Sequence, residues 1–370
     1  MRTLLISDLH LGSSFGADVL RSPVVRERLF DALDGVERVV LLGDVLELRH
    51  GPPRDALKAA EPFFRELGDA LAGRELVLVA GNHDHALVEP WLAERAQLSP
   101  PETLGLETLL EPGRASGAYG RLAQWAAGAQ VVVAYPGLRV REDVYATHGH
   151  YLDLHMTVPT IERLGMGVMG RLTGLAQHEL ASVEDYEAVA GPVYAWRDSV
   201  ARSRPTSEAL SGITTVKAWR ALGGHSAGGL QALGALALRA GFPAAVGALN
   251  RAGLGPLSAD LSVGELRAAG LRAMGVAAAN LGVREGYLVF GHTHRPGPLP
   301  DDAVIEWLGA GDLRLVNTGS WCYSAIFLTS RPGESPYWPG SAVLVDEQGA
   351  PQVLRLLQDV GHDRLVGAAP

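Results

Sequence analysis

Aspartate, histidine and asparagine recur in this chain at one kind of place, directly after a short apolar run. Asp8 and His10 follow "TLLIS", Asp44 follows "VVLLG", and Asn82, His83 and Asp84 follow "LVLVAG". His148 follows "VYAT", and His292 and His294 follow "YLVFG". Carboxylate, imidazole and amide oxygen form a donor set suited to divalent transition metals of intermediate hardness, and there are more donors here than one ion takes. A two-metal site is the economical reading. Ions about 3.5–4 Å apart can share a hydroxide nucleophile and clamp the oxygens of a phosphoryl centre during in-line displacement.

Such a site needs elements that bring distant residues together. The apolar runs at 3–8, 39–44 and 76–82 show no in-out alternation and stop at glycine or polar residues, which predicts strands buried on both faces. Helical patterns over 18–34 and 55–72 alternate with them. Strand–helix alternation predicts an α/β fold, in which ligands gather at the carboxyl ends of the strands. Further strands are expected at 130–135, 144–149, 287–292, 313–319, 341–346 and 353–357; their close spacing predicts hairpins and a mixed sheet.

Residues 151–285 read differently. They are rich in Ala, Gly, Leu and Arg, hold 12 Lys plus Arg against 11 Asp plus Glu, and show few strand patterns. Ser262 and Glu265 form a capping-box pattern ahead of a helix over 262–281. Strand signals resume afterwards, so the block is expected to be a mostly helical insertion or cap, 151–285. It would divide a discontinuous catalytic domain, 1–150 with 286–360, and a loose tail, 361–370, would follow.

The chain has 370 residues, net charge −9, and no polybasic run, which argues against tight binding to nucleic acid. Cys322 is the single cysteine, so no intramolecular disulfide can form. The amino-terminal run is too short for a signal peptide or a membrane span. A cytoplasmic location is expected, extending to peripheral contact at the inner face of the membrane through 151–285.

The order D-x-H, GD, GNHD, a strand-end H and GHTH resembles the calcineurin-like metallophosphoesterase superfamily. The resemblance implies a four-layer αββα metallophosphoesterase sandwich with mixed sheets. It implies that Asp8, His10 and His294 bind one metal, that Asp44 bridges, and that Asn82, His148 and His292 complete the second. It further implies that His83 protonates the leaving oxygen as general acid, that the cofactors are two divalent ions, Mn first and Fe or Zn otherwise, and that the "NTGSW" run from Asn317 lies near the substrate phosphate. Glu47, where some members carry aspartate, is a small departure that leaves the metals undisturbed.

The activity expected is hydrolysis of phosphoester or pyrophosphate bonds in a phosphorylated small molecule or a lipid-linked substrate. The helical insertion and "GHTHRP" are similar in arrangement to the UDP-2,3-diacylglucosamine pyrophosphohydrolase type, which carries the lipid-linked expectation. A soluble nucleotide phosphodiesterase or phosphatase and a non-catalytic metal-holding interaction protein are the alternatives. His150, Arg295 and Asn317 are candidate substrate contacts; His85 reads as structural or exposed, and His155 as a polar residue on the face of a starting helix. Met156, Met166 and Met169 read as ordinary packing, with contact to a flexible acyl chain as the alternative. Arg197, Arg202, Arg204, Lys217 and Arg220 read as a solvated face, with a phosphate-attracting rim as the alternative.

Overall fold

The computed structural model describes residues 1–13, 17–100, 102–175, 177–203, 230–325 and 327–365. They fall into two compact units, Met1–His150 with Val283–Pro370, and Tyr151–Gly282.

In the first unit the apolar runs form strands that stop where the polar residues begin. β1 (Thr3–Ile6), β2 (Arg38–Leu42) and β3 (Glu75–Val79) pair in parallel. β4 (Glu107–Leu110) pairs antiparallel with β5 (Gln130–Arg141), whose first half runs parallel to β3. From Gly137 onward β5 pairs antiparallel with β6 (Val144–Thr147), which is followed in parallel by β7 (Tyr287–Phe290) and β8 (Arg314–Asn317). β9 (Ser341–Val345) lies antiparallel to β1, and β10 (Gln352–Arg355) closes that edge.

The strands make one continuous ladder, β10-β9-β1-β2-β3-β5-β6-β7-β8. Yet Leu5, Val40, Leu42, Val77, Val79 and Val343 from its first half share a single core with Leu138, Val144, Ala146, Val289 and Val316 from its second. Residues at opposite ends of a ladder can meet face to face only if the sheet folds over, and β5 is where it does so. The result is the two packed, mixed sheets of a sandwich. The alternate residues Leu4, Ile6, Val39, Leu41, Leu76 and Leu78 are buried too, as strands covered on both faces must be.

The helices of this unit are α1 (Pro23–Asp31), α2 (Pro53–Ala70), α3 (Glu89–Ala96), α4 (Pro112–Ala115) and α5 (Gly117–Trp125). α2 buries Ala56, Leu57, Ala60, Phe63, Phe64 and Leu67 along one stripe. Phe64→Ala would cost about 3–5 kcal/mol through the cavity it leaves.

Three expectations shift. The helix expected over 18–34 divides into a 3-10 turn, Val19–Arg21, and α1, because Pro23 starts a new helix at its first position. β5 runs six residues past the expected end, carried through Pro136 by pairing with β4 and then β6. The tail expected to be loose from 361 starts as a short helix, His362–Leu365, anchored by buried Leu365 and by His362 bonded to the Tyr323 hydroxyl and the Thr329 carbonyl. Residues 366–370 lie outside the described residues.

The second unit is helical: a 3-10 turn (His150–His155) enters it, followed by α6 (Ile161–Thr173), α7 (Val183–Ser203), α8 (Leu230–Arg251) and α9 (Val263–Asn280). Thr160 caps α6 by accepting from the Arg163 amide. At α9 only half of the expected capping box forms. The Ser262 hydroxyl accepts from the Glu265 amide, but the Ser262 amide donates to Asp260, and the Glu265 carboxylate pairs with Arg272. Arg197 pairs with Glu162, while Arg204, Lys217, Arg220 and the side chain of Arg202 lie outside the described residues. Among the described residues no helix is long and apolar enough to cross a membrane.

Candidate metal centre

Every strand that carries a candidate ligand ends at the same rim of its parallel set. β1 delivers Asp8 and His10, β2 Asp44, and β3 Asn82 and His83; β6 delivers His148, and β7 His292 and His294. The loops are tied to each other through their backbones: the Asp8 amide donates to the Gly43 carbonyl, the His10 amide to the Asp44 carbonyl, and the Gly291 amide to the His148 carbonyl. The glycines of the motifs follow from this crowding. A Cβ on Gly43, whose φ is +86°, would sit 2.4 Å from the His148 ring, and one on Gly81 would sit 2.3 Å from Asp44 Oδ1.

The backbone is strained where the ligands are. Among the described residues the non-glycines with positive φ are Asp8 (55°), His10 (45°), Asp44 (50°), His292 (66°) and His294 (60°). Each such residue costs on the order of 1–3 kcal/mol and persists only where its surroundings over-determine it. All five point their side chains into one cluster.

Ligand atoms converge there in three overlapping groups: Asp8, His10 and His294; His10, Asp44 and His83; and Asp44, His148 and His292, each within 4.8 Å. His294 Nε2 is 3.2 Å from Asp8 Oδ1 and 3.3 Å from His10 Nε2. Asp44 Oδ2 is 3.8 Å from His10 Nε2 and 3.4 Å from His148 Nε2, so it stands between the two halves. One terminal atom of the Asn82 amide lies 3.1 Å from His292 Nδ1, 3.2 Å from His148 Nε2 and 3.3 Å from Asp44 Oδ2.

These positions suit cations. Asp8 Oδ1 is buried and meets only the His294 imidazole, at 3.2 Å. The Asn82 atom meets two imidazole nitrogens and a carboxylate oxygen, a neighbourhood compatible with an amide oxygen turned toward a cation. His148 Nδ1 donates to the Leu42 carbonyl and His10 Nδ1 to Glu47, at 2.9 and 3.0 Å, which turns both Nε2 lone pairs into the cluster.

Electrostatics point the same way. Burial opposes charge on every group here, yet His294 and His148 hold the Asp8 carboxyl down at about 2. Asp44, despite burial, lies well below the usual carboxylate range because of His148, His83 and His10. Against burial, Glu47 and Asp44 raise His10 to about 9, and Asp44 raises His148 to about 10. The pull that charges these imidazoles is the same pull that favours a divalent cation among them.

Glu47 is the group that sequence reasoning undervalued. It is 3% exposed and accepts from His10 Nδ1 at 3.0 Å, from His83 Nδ1 at 2.9 Å and from the Arg49 amide at 3.0 Å. One carboxylate therefore orients a candidate ligand and the candidate general acid together. Asp84 joins the loops as well: it accepts from the amides of Val45, Leu46 and Gly81. His83 is partly exposed, and its amide donates to Asp44 Oδ1 at 2.8 Å. Burial, with Arg49 adding to it, outweighs Glu47 and Asp44 and pushes the His83 imidazole down to about 4.

The three candidate substrate contacts sit less freely than expected. Arg295 is buried, its guanidinium gripped by both oxygens of Asp302 and laid 5.7 Å from the Trp307 ring centre, so it holds the loop after "GHTH". Asn317 is fully buried and spends its amide on the Gly291 carbonyl, the Thr293 hydroxyl and the Gly319 amide, which fixes the His292–His294 loop. His150 is 1% exposed behind His148, ring centres 5.6 Å apart, and burial with the neighbouring histidines keeps it neutral. His85 is buried edge-on to Tyr135, as a structural residue.

A sandwich that gathers carboxylates, imidazoles and an amide from five strand ends defines a class, the metal-dependent phosphoesterases. The sequence model of the family described as calcineurin-like phosphoesterase matches residues 1–217, more than half of the chain, and the chain belongs to that family. It is a phosphoesterase hydrolase with a His/Asp cluster compatible with a dinuclear centre of divalent ions. The matched span holds Asp8 through His148; His292 and His294 enter the site on geometry. No curated protein matches the chain.

Proposed function

We propose that the protein hydrolyses phosphoester or pyrophosphate bonds with two divalent cations. Asp8, His10 and His294 hold one; Asn82, His148 and His292 hold the other; Asp44 bridges. The observation that carries the reading is the overlap of the ligand groups around Asp44. When bound, the cations neutralise phosphoryl oxygens and activate water as nucleophile at neutral pH. The donor set accepts Mn, Fe or Zn, and Mn is the occupant we propose.

The chain's own residues do the rest. Glu47 keeps the His83 Nδ1 proton and so aims Nε2 outward. His83 enters neutral, and the negative charge of an arriving phosphate favours its protonation. From there it delivers a proton to the leaving oxygen. Asp44 Oδ1 fixes the His83 backbone, which ties the acid to the bridging group.

Stripping the protein with chelator and reloading it with Mn²⁺ tests this on a chromogenic phosphodiester and monoester. Turnover should appear only after loading. A loaded protein that turns over neither ester, or an Asp44→Asn variant with undiminished activity, defeats the assignment. Substrates with a soluble nucleotide and with a lipid-linked diphosphate then separate the two substrate classes.

A further inference from the structure

A cavity of about 530 Å³ lies wholly inside the helical unit, bounded by α6, residues 174, 175, 177, 178 and 180, α7 and the loop 253–256. That is the size of a small-ligand pocket. On this wall α6 carries Gly167 and Gly170, where a Cβ would sit 3.1 Å from Arg163 Nη1 and 2.8 Å from the Leu175 carbonyl oxygen. The remaining wall sets aliphatic Leu154, Met166, Leu175, Leu180, Val189 and Leu254 beside Pro256 and the polar Arg171, Gln177 and His178. No Phe, Tyr, Trp, Asp or Glu stands among the described lining residues.

One charge is buried in that wall. Arg163 is 1% exposed; its Nε donates to the Met156 carbonyl at 2.9 Å and its Nη2 to the Gly255 carbonyl at 3.2 Å. Nη1 is buried and, among the described residues, reaches no acceptor. It lies 3.1 Å from where a Cβ on the lining residue Gly167 would be, and Arg163 itself lines the cavity. Among the described residues no carboxylate pairs with the guanidinium, and burial pushes it down to about 10. A buried cation without a counter-ion is costly, and a guanidinium fork matches a carboxylate in shape and charge.

We infer that this cavity binds an aliphatic carboxylate of the fatty-acid type, its head on Arg163 Nη1 and its chain against the Leu and Met side chains. One buried positive charge fits one carboxylate, and flexible aliphatic walls fit a flexible chain. The site rests on the helical unit alone, so its failure leaves the phosphoesterase reading standing.

Dodecanoate, dodecan-1-ol and inorganic phosphate, each titrated into the full chain by calorimetry and thermal unfolding, provide the test. Dodecanoate should bind one per chain and raise the unfolding temperature. Dodecan-1-ol should bind at least about 10-fold more weakly, and phosphate should leave the unfolding temperature unchanged. Arg163→Met should lose dodecanoate binding by about 10-fold or more while the ligand-free protein stays as stable or becomes more so, since an uncompensated buried charge is gone. If that variant does not fold, Leu254→Trp, which fills the cavity and leaves the charge in place, should weaken dodecanoate binding to the same degree. The proposal is overturned if dodecanoate does not saturate, if the alcohol or phosphate binds as tightly, or if the folded variant binds dodecanoate as the parent does.

Discussion

At the metal centre Asp8, Asp44 and Glu47 are almost fully buried, and each lies within 3.0 to 3.4 Å of an imidazole nitrogen, from His294, His148 and His10. In the helical unit Arg163 is buried as deeply and meets only carbonyls. Both arrangements take charge out of water, which costs several kcal/mol per ion before partners are counted. In the first unit the partners are other ionisable side chains, so each charge supports the next. Removing a charge should therefore do opposite things in the two units: lose function at the centre and leave stability intact around Arg163.

The largest effect is expected from Asp44→Asn. The variant keeps shape but removes the charge that two of the ligand groups share, and turnover of a phosphodiester should fall by about 10³-fold. Metal content after dialysis should drop from two ions per chain. Retention of both ions would move the bridge to another residue.

His83→Ala should cost about 10²-fold, with a dependence on the leaving group that separates it from a lost ligand. Esters of poor leaving groups should suffer most, whereas nitrophenyl esters, which leave without a proton, should be nearly unaffected at unchanged metal content. An equal loss on both kinds of ester would remove His83 from proton transfer.

Glu47→Gln comes next, at about 10- to 100-fold, the range for residues that orient metal ligands. Because Glu47 serves His10 and His83 together, the variant should lower metal affinity and also blunt the leaving-group dependence. A change in only one of these would show that the carboxylate serves only one of the two imidazoles.

Much of the candidate site's convergence was legible from residue type and position, because a polar residue at a strand end leaves a motif: Asp8, His10, Asp44, His148, His292 and His294 each follow an apolar run and meet in space. Glu47 left a weaker trace. A buried acceptor reads in sequence like any glutamate after a turn, and only the fold shows two imidazoles bonded to it. Arg295 and Asn317 stood beside the right motif but face inward, to Asp302 and to Gly291. β4 was missed because its "ETLL" has little strand character of its own and is held by pairing with β5. In the helical unit attention to methionines found part of the cavity wall at Met166, while the decisive group was Arg163, which nothing in its spacing marks as buried.

The smallest effect sharpens the contrast from the side of the helical unit. His155 ends the 3-10 turn with its Nε2 2.7 Å from the Tyr186 hydroxyl. Asn280 Nδ2 donates to that hydroxyl, which leaves its own proton for His155 Nε2. Burial, with Arg163 adding to it, pushes the imidazole from its ordinary 6.5 down to about 4. The folded unit therefore refuses a proton that the unfolded chain accepts. Stability is full above pH 6.5, declines as pH falls from 6.5 to 4 by on the order of 1–3 kcal/mol, and levels off below that. His155→Gln keeps a side chain able to bond Tyr186 and does not titrate. Hydrogen-exchange protection of α6 should fall across this window in the parent and stay flat in the variant. Parallel curves would mean that some other group carries the acid sensitivity, and would detach His155 from the field of the uncompensated Arg163.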